Sequence, residues 1–220
     1  MIFIGSENFA KYFDKTYIIK SNNLLPNPVS FHADMNICKI DDTVFLYKNC
    51  CFAKEIIKLG FKTVFIGETP KNAYPFDVFL NCRSVGKTVI MNSKTISKDI
   101  LKHCEKTGKK IIDVKQGYAA CSTLMLSETA FITSDKGVCN TLIKNGYSPL
   151  LIREGYIKID EYNYGFIGGA SGFANDILYF FGDITVHPDY KQIDAYLKQN
   201  NIEYKWFDCP LTDIGGMIEI

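Results

Sequence analysis

The chain has 220 residues, 47% hydrophobic, 22% charged and 14% aromatic, enough to bury a core of its own in a single domain spanning residues 1–220. Its 25 Lys+Arg against 24 Asp+Glu leave a formal charge of +1, which provides no field to draw nucleic acid or an anionic membrane. No apolar run approaches the roughly 18 residues a membrane span needs, and the opening MIFIGSENFAKYF lacks the basic n-region of a signal peptide, so a soluble, cytoplasmic protein is expected.

A short β-rich run opens the chain, followed by a helical pattern and a second β-rich run, in MIFIGSENFAKYFDKTYIIK. The same phrase of strand, cap, helix, stop and strand then recurs in fuller form from Thr43 to Ile66, Thr88 to Val114, Thr129 to Ile152 and Asp183 to Phe207. Val44 to Gly60, Ala130 to Gly146 and Ile184 to Asn200 are each 16 residues apart. Val89 to Gly108 is 19, about one helical turn more. Gly and Asn tolerate the left-handed conformation that ends a helix, so these stops are physical punctuation.

Each full copy follows another β-rich run, at Met35–Lys39, Val78–Cys82, Thr123–Leu126 and Ile177–Phe181. The last such run, Met217–Ile220, completes the opening copy only if the two chain ends meet. Five ββαβ units of about 44 residues then close into a ring, the first stitched from both termini. Closure leaves no exposed strand edge. An open α/β sheet is the alternative that β and α alternation alone would give.

In a closed ring the loops entering the first strand of each unit converge on one axis. These loops read FHADM (31–35), YPFDV (74–78), YAACST (118–123), GFIGGASGFAND (165–176) and LTDIGGM (211–217). They carry His32, Asp34, Asp77, Cys121, Ser122, Asn175 and Asp213. Cys121 and His32 are the candidate nucleophile and base. Asp34, Ser122, Asp213, Asp77 and Asn175 are candidate ligand-binding residues. Each has a plainer reading: Asp34, Asp77 and Asp213 as turn formers, Cys121 as a small buried hydrophobe, His32 as a structural histidine.

Other signals carry less. The eight cysteines (38, 50, 51, 82, 104, 121, 139, 209) include no CxxC pair, and a chain able to build a core needs no disulfide framework. Gly86-Lys87-Thr88 echoes the end of a phosphate loop, but Asn81 stands where that motif needs Gly and a strand pattern follows. Gly168-Gly169 is no dinucleotide fingerprint. His187-Pro188-Asp189 suits a helix N-terminus, and His103 falls near a helix C-terminus, where it would meet the dipole. The Lys, Ile and Asn richness is that of a low-GC bacterial source.

A five-bladed α/β-propeller of ββαβ repeats resembles the pentein, or guanidine-modifying-enzyme, superfamily, over essentially the whole chain and closest to an uncharacterised bacterial branch of unknown function. That superfamily includes dimethylargininases, agmatine and arginine deiminases, amidinotransferases and a non-catalytic translation factor. The resemblance implies that Asp34, ahead of an early strand, matches the acid that binds the substrate guanidinium. It places Ala120-Cys121-Ser122 where the enzymes have Gly-Gly-Asp, and Gly168-Gly169 where they have the catalytic His. Asp213-Ile214-Gly215-Gly216-Met217 keeps the glycines that precede their Cys and lacks the Cys itself; Cys209 lies before that turn. Only Arg83 and Arg153 are arginines, which leaves few clamps for a carboxylate.

Three readings therefore stand. A small polar or cationic molecule binds at the axis, with Cys121 and His32 as a repurposed pair acting on an amidine- or amide-like substrate if the site is catalytic. Or the ring is a non-catalytic binding or scaffold protein. Or His32, Asp34 and Cys121 hold a metal, although no spacing motif supports one and neither metal nor cofactor is expected. The sequence does not decide among them, nor does it fix whether the protein is an enzyme or what its oligomeric state is.

Overall fold

The computed structural model describes residues 1–220. The first elements are β1 (Ile2–Ile4), α1 (Glu7–Ala10) and β2 (Thr16–Ile18). Then come α2 (Ala33–Asn36), β3 (Ile37–Ile40), β4 (Thr43–Leu46), α3 (Ala53–Lys58) and β5 (Lys62–Phe65). The middle of the chain forms β6 (Arg83–Val85), β7 (Thr88–Met91), α4 (Lys98–Lys106) and β8 (Lys110–Asp113). It is followed by α5 (Ala119–Ser122), β9 (Thr123–Met125), β10 (Phe131–Thr133), α6 (Lys136–Lys144) and β11 (Leu150–Leu151). The last group is β12 (Ser171–Ala174), β13 (Ile177–Phe180), α7 (Tyr190–Gln199), β14 (Tyr204–Trp206) and β15 (Met217–Glu219).

These strands form five separate three-stranded sheets: β15-β1-β2, β3-β4-β5, β6-β7-β8, β9-β10-β11 and β12-β13-β14. In each, the first strand runs antiparallel to the second, and the second runs parallel to the third across a helix-bearing crossover. The repeat is therefore ββαβ, and the first unit is closed by the C-terminal strand, Ile2 facing Glu219 and Ile4 facing Met217. Neighbouring first strands lie side by side around the axis, β12 against β15, β3 against β6 and β6 against β9.

The cores sit between blades. Phe3, Ile37 and Val44 join units one and two. Phe45, Val89 and Ile100 join two and three. Ile90, Met125 and Phe131 join three and four. Leu124, Ile132, Phe180 and Ile193 join four and five. Ile2, Phe9, Phe181 and Met217 return from five to one. Each blade thus buries apolar side chains, worth roughly 1.5–3 kcal/mol apiece, against both of its neighbours.

The helix stops are left-handed as their residue types require at Gly60 (φ 85°), Gly108 (φ 68°) and Gly146 (φ 83°). In unit five the left-handed residue is Asn201, not Asn200, and in unit one it is Lys15.

Two strand placements differ from the sequence reading. Val78–Cys82 is a turn, and the first strand of unit three is β6, which meets β7 through Gly86-Lys87. Val78 and Leu80 are apolar because they are buried, not because they are paired. In unit five, Ile177–Phe180 is the central strand and Ile184–Val186 a 3₁₀ turn. The first strand, β12, lies inside what reads as a Gly-rich loop. It needs Gly172, since a β-carbon there would run into the Met217 side chain of β15. Gly168-Gly169 consequently precede the fifth unit; the turn before unit four's first strand is α5, with Cys121.

His103 lies in the last turn of α4, as the sequence suggests; its ring packs edge-on to Phe45 at 5.1 Å, and burial with the nearby Lys62 charge lowers its pKa. Asp189 precedes α7 as expected, but its carboxylate is taken by Arg153, with Nε at 2.9 Å and backbone N at 2.7 Å. Arg153 is thereby committed to tethering the chain after β11 to the start of α7.

Candidate functional site

Two short helical turns aim chemistry at the axis. α2 and α5 occupy equivalent places, each just ahead of a first strand. Asp34 stands in α2, 98% buried, and Cys121 in α5, 97% buried. The Cys121 thiol donates to Asp34 Oδ2 at 2.9 Å, while Asp34 Oδ1 is buried without a hydrogen-bond partner.

Asn81 holds the two turns together. Its Oδ1 accepts from Ala120 N (2.8 Å), and its Nδ2 donates to Asp34 O (3.2 Å) and lies 3.1 Å from Cys121 Sγ. Asp213 comes in from the C-terminal loop and accepts from Phe166 N (2.9 Å) and Gly215 N (3.0 Å). His32 Nδ1 is 3.8 Å from Asp213 Oδ1 and has no hydrogen bond.

Burial sets the charges. It pushes Asp34 up from 3.8 to about 6, against the pull of the Arg83 guanidinium and the Cys121 hydrogen bond. It pushes Asp213 up to about 7, helped by the Asp34 charge. His32 is driven down to about 3 by burial, so the His32–Asp213 contact is not an ion pair near neutral pH. Burial, followed by the charges of Asp34 and Asp213, keeps the Cys121 thiol well above its ordinary range.

Cys121 and His32 are therefore not paired. The sulfur's partners are Asp34 and Asn81, and the imidazole faces Asp213. A nucleophile needs a base within hydrogen-bond reach or a depressed pKa; the base in reach of Cys121 is the Asp34 carboxylate and not His32, and the thiol's pKa is raised rather than depressed. With an aromatic disulfide reagent near about pH 7.5, exposed Cys51 is expected to react first and Cys121 only on unfolding. Counting modified residues by mass spectrometry checks this; early labelling of Cys121 would contradict it.

The other expected residues lie apart. Asp77 accepts from Tyr118 OH at 2.6 Å. Ser122 Oγ donates to Ala119 O within its own turn. Asn175 sits in the β12–β13 turn at φ 50°, the far end of β12 from Ser171, with its N–H on Glu219 Oε2. Its sequence resembles that of a site loop only because β12 reads as loop. His32, Asp34 and Cys121 do not form a ligand set: no group of three His, Cys, Asp or Glu is arranged to hold a metal ion.

Arg83 and Asn81 escape the sequence reading because residues 78–82 look like strand. The two-residue Gly86-Lys87 turn is the signal that puts β6 five residues later. Arg83 makes none of the three Lys or Arg ion pairs in the molecule. Its guanidinium reaches toward Gly216 on the wall of a cavity of about 640 Å³. That cavity is framed by β3, β6, β9, β12 and β15, and Asp34 and Gly168 also line it. A second cavity, about 700 Å³, lies between α1 and the loops that carry His32 and Asp213, with Phe9 and Phe207 in its wall.

No helix is long and apolar enough to cross a membrane. The fold is shared with agmatine deiminase from C. jejuni, at 12% identity and TM-score 0.57, covering 94% of this chain and 74% of that one. It is shared with DDAH from Pseudomonas aeruginosa in complex with citrulline, at 10% identity and TM-score 0.52, covering 88% and 74%. The amidinotransferase SxtG from Microseira wollei matches at 10% identity and TM-score 0.50, covering 91% and 75%. These are pentein-superfamily structures, and the five-unit ring is the pentein fold. No curated protein matches the chain. A family model covers residues 6–218, and by that match the chain belongs to the family of unknown function DUF6873.

Proposed function

We propose that this protein binds a small molecule at the pseudo-fivefold axis, taking a cationic nitrogen group on Asp34 and an anionic group on Arg83. One observation carries the reading. Asp34 is a buried carboxyl that lines a 640 Å³ cavity and has one oxygen without a hydrogen-bond partner, and a buried polar atom is ordinarily satisfied by something. The unpaired Arg83 shares that cavity, so opposite ligand charges have opposite partners. In the enzymes that the fold resembles, an acid ahead of an early strand binds guanidinium, and Asp34 holds that place.

The amidine chemistry of those enzymes is not part of the proposal. Their His has its counterpart near Gly168-Gly169, where no His stands. Their Cys follows the C-terminal glycines, where this chain has Met217. Cys121 acts as a proton donor to Asp34, which tunes the carboxyl rather than attacking substrate.

Calorimetric titration with arginine, agmatine and citrulline tests this. Arginine is expected to bind best, agmatine more weakly for want of a carboxylate, and citrulline least because its ureido group is neutral. Asp34→Asn is expected to weaken arginine about 10- to 100-fold, the worth of a charge-assisted hydrogen bond. Arg83→Ala should erase the preference for arginine over agmatine. Equal binding of citrulline and arginine, or none by any probe, overturns the proposal in favour of a scaffold. Ammonia release lost in Cys121→Ala overturns it in favour of a hydrolase.

A further inference from the structure

We infer that Cys38 and Cys82 form a redox-active dithiol in the wall of the axial cavity, convertible to an intramolecular disulfide by a small hydroperoxide. The two sulfurs lie 3.2 Å apart across the boundary between units two and three. Cys38 projects from β3, and Cys82 stands immediately before β6, the neighbouring first strand. A disulfide needs about 2.0 Å between sulfurs, so the pair has only about 1.2 Å to close.

Access is unequal. Cys82 lines the cavity and Cys38 does not; both are otherwise buried, at 8% and 2% exposure. A hydroperoxide entering the cavity meets Cys82 first. The Cys82 sulfur attacks the O–O bond, which breaks to give a sulfenic acid and, from hydrogen peroxide, one water. Cys38 then attacks the Cys82 sulfur, the S–O bond breaks, and the hydroxyl leaves with a proton as a second water. Two thiols are oxidised by two electrons and one peroxide is reduced to two waters. A small dithiol reverses the step by exchange.

The arrangement differs from that of the other thiols. Cys50 and Cys51 are sequence neighbours, the first half-buried and the second exposed, and Cys121 is already committed to Asp34. The contact with Cys38, together with burial, holds the Cys82 thiol above its ordinary range, while the adjacent Arg83 guanidinium opposes this. Oxidation is therefore slower than at exposed Cys51 but yields one defined product, because its resolving partner is already in contact. That product adds a covalent staple between two blades already joined at this boundary by packing, the Lys109–Asp41 ion pair and the Asn81–Asp34 hydrogen bond.

The test treats the full chain with hydrogen peroxide, blocks remaining thiols by alkylation in denaturant, and maps the digest by mass spectrometry. The expected result is a Cys38–Cys82 cross-linked peptide two hydrogens lighter than the reduced pair. Cys38→Ser should lose the cross-link and leave Cys82 trappable by dimedone. Oxidised wild type should melt about 10 °C higher than the same sample returned to dithiothreitol, as expected for a cross-link closing a loop of this length in a domain of this size. That measurement needs no variant to fold. Both thiols still alkylatable after oxidation, either one cross-linked elsewhere, or no change in melting temperature would overturn the inference. None of these readouts depends on the ligand proposed for Asp34.

Discussion

Asp34→Asn is expected to melt about 5–10 °C above wild type near about pH 8, and level with it near about pH 4. Burial raises the Asp34 carboxyl from 3.8 to about 6 in the folded chain. A raised acid binds more protons folded than unfolded, so its contribution to stability is greatest below 3.8 and is lost as pH climbs to about 6. Above that window the folded state carries a buried charge with one unsatisfied oxygen. Roughly two units correspond to about 3 kcal/mol, and about 2–4 °C per kcal/mol for a domain of this size. Asparagine keeps an oxygen for the Cys121 thiol and removes the charge. It also removes the repulsion that helps hold Asp213 near 7, so the wild-type decline in stability should become shallower and end earlier. Thermal melts at the two pH values check this. A variant weaker than wild type at both would mean that partners hold Asp34 ionised. Stability gained where ligand affinity is lost is the trade expected of a binding group.

Gly169→Ala is expected to cost about 3–5 kcal/mol, against about 1 kcal/mol for Gly146→Ala. A β-carbon on Gly169 would occupy the space of the Asp213 carboxylate. Gly169 itself donates to Cys121 O at 3.1 Å and accepts from Ile214 N (3.1 Å) and Gly216 N (2.7 Å). One residue thus ties α5, the turn before β12 and the loop before β15 together at the axis. Displacing Asp213 breaks its bonds to Phe166 N and Gly215 N and leaves buried donors unpaired. Gly146 ends α6 at φ 83° with open space beyond, so alanine there meets only backbone strain. Urea denaturation of the two variants separates these cases. Similar losses would mean that Asp213 moves aside at little cost.

Much of the architecture is legible because it is written locally. A helical period, a left-handed stop and a β-rich run each depend on residues within one turn of one another. Five copies of that phrase announce the ring, and the leftover strand at Met217–Glu219 announces how it closes. Asp34 and Cys121 are legible as neighbours of first strands. Errors fall where burial and pairing dictate similar composition. Val78 and Leu80 are apolar to pack under the ring, and so they imitate a strand. β12 carries Gly172 to clear Met217, and so it imitates a loop. The first likeness hides Asn81 and Arg83, and the second draws Asn175 toward the axis.

The sequence by itself thus determined the repeat, its count and its closure, since these rest on short-range backbone preference and hydrophobic period. Only the tertiary structure decided which polar groups meet at the axis. The Cys121 thiol goes to Asp34 and not to His32, Asn81 bridges two turns, and Arg153 is tied to Asp189 while Arg83 is left unpaired. Those choices hang on ångström-scale approach between segments 36 to 87 residues apart, and on desolvation that exists only once five blades have closed around them.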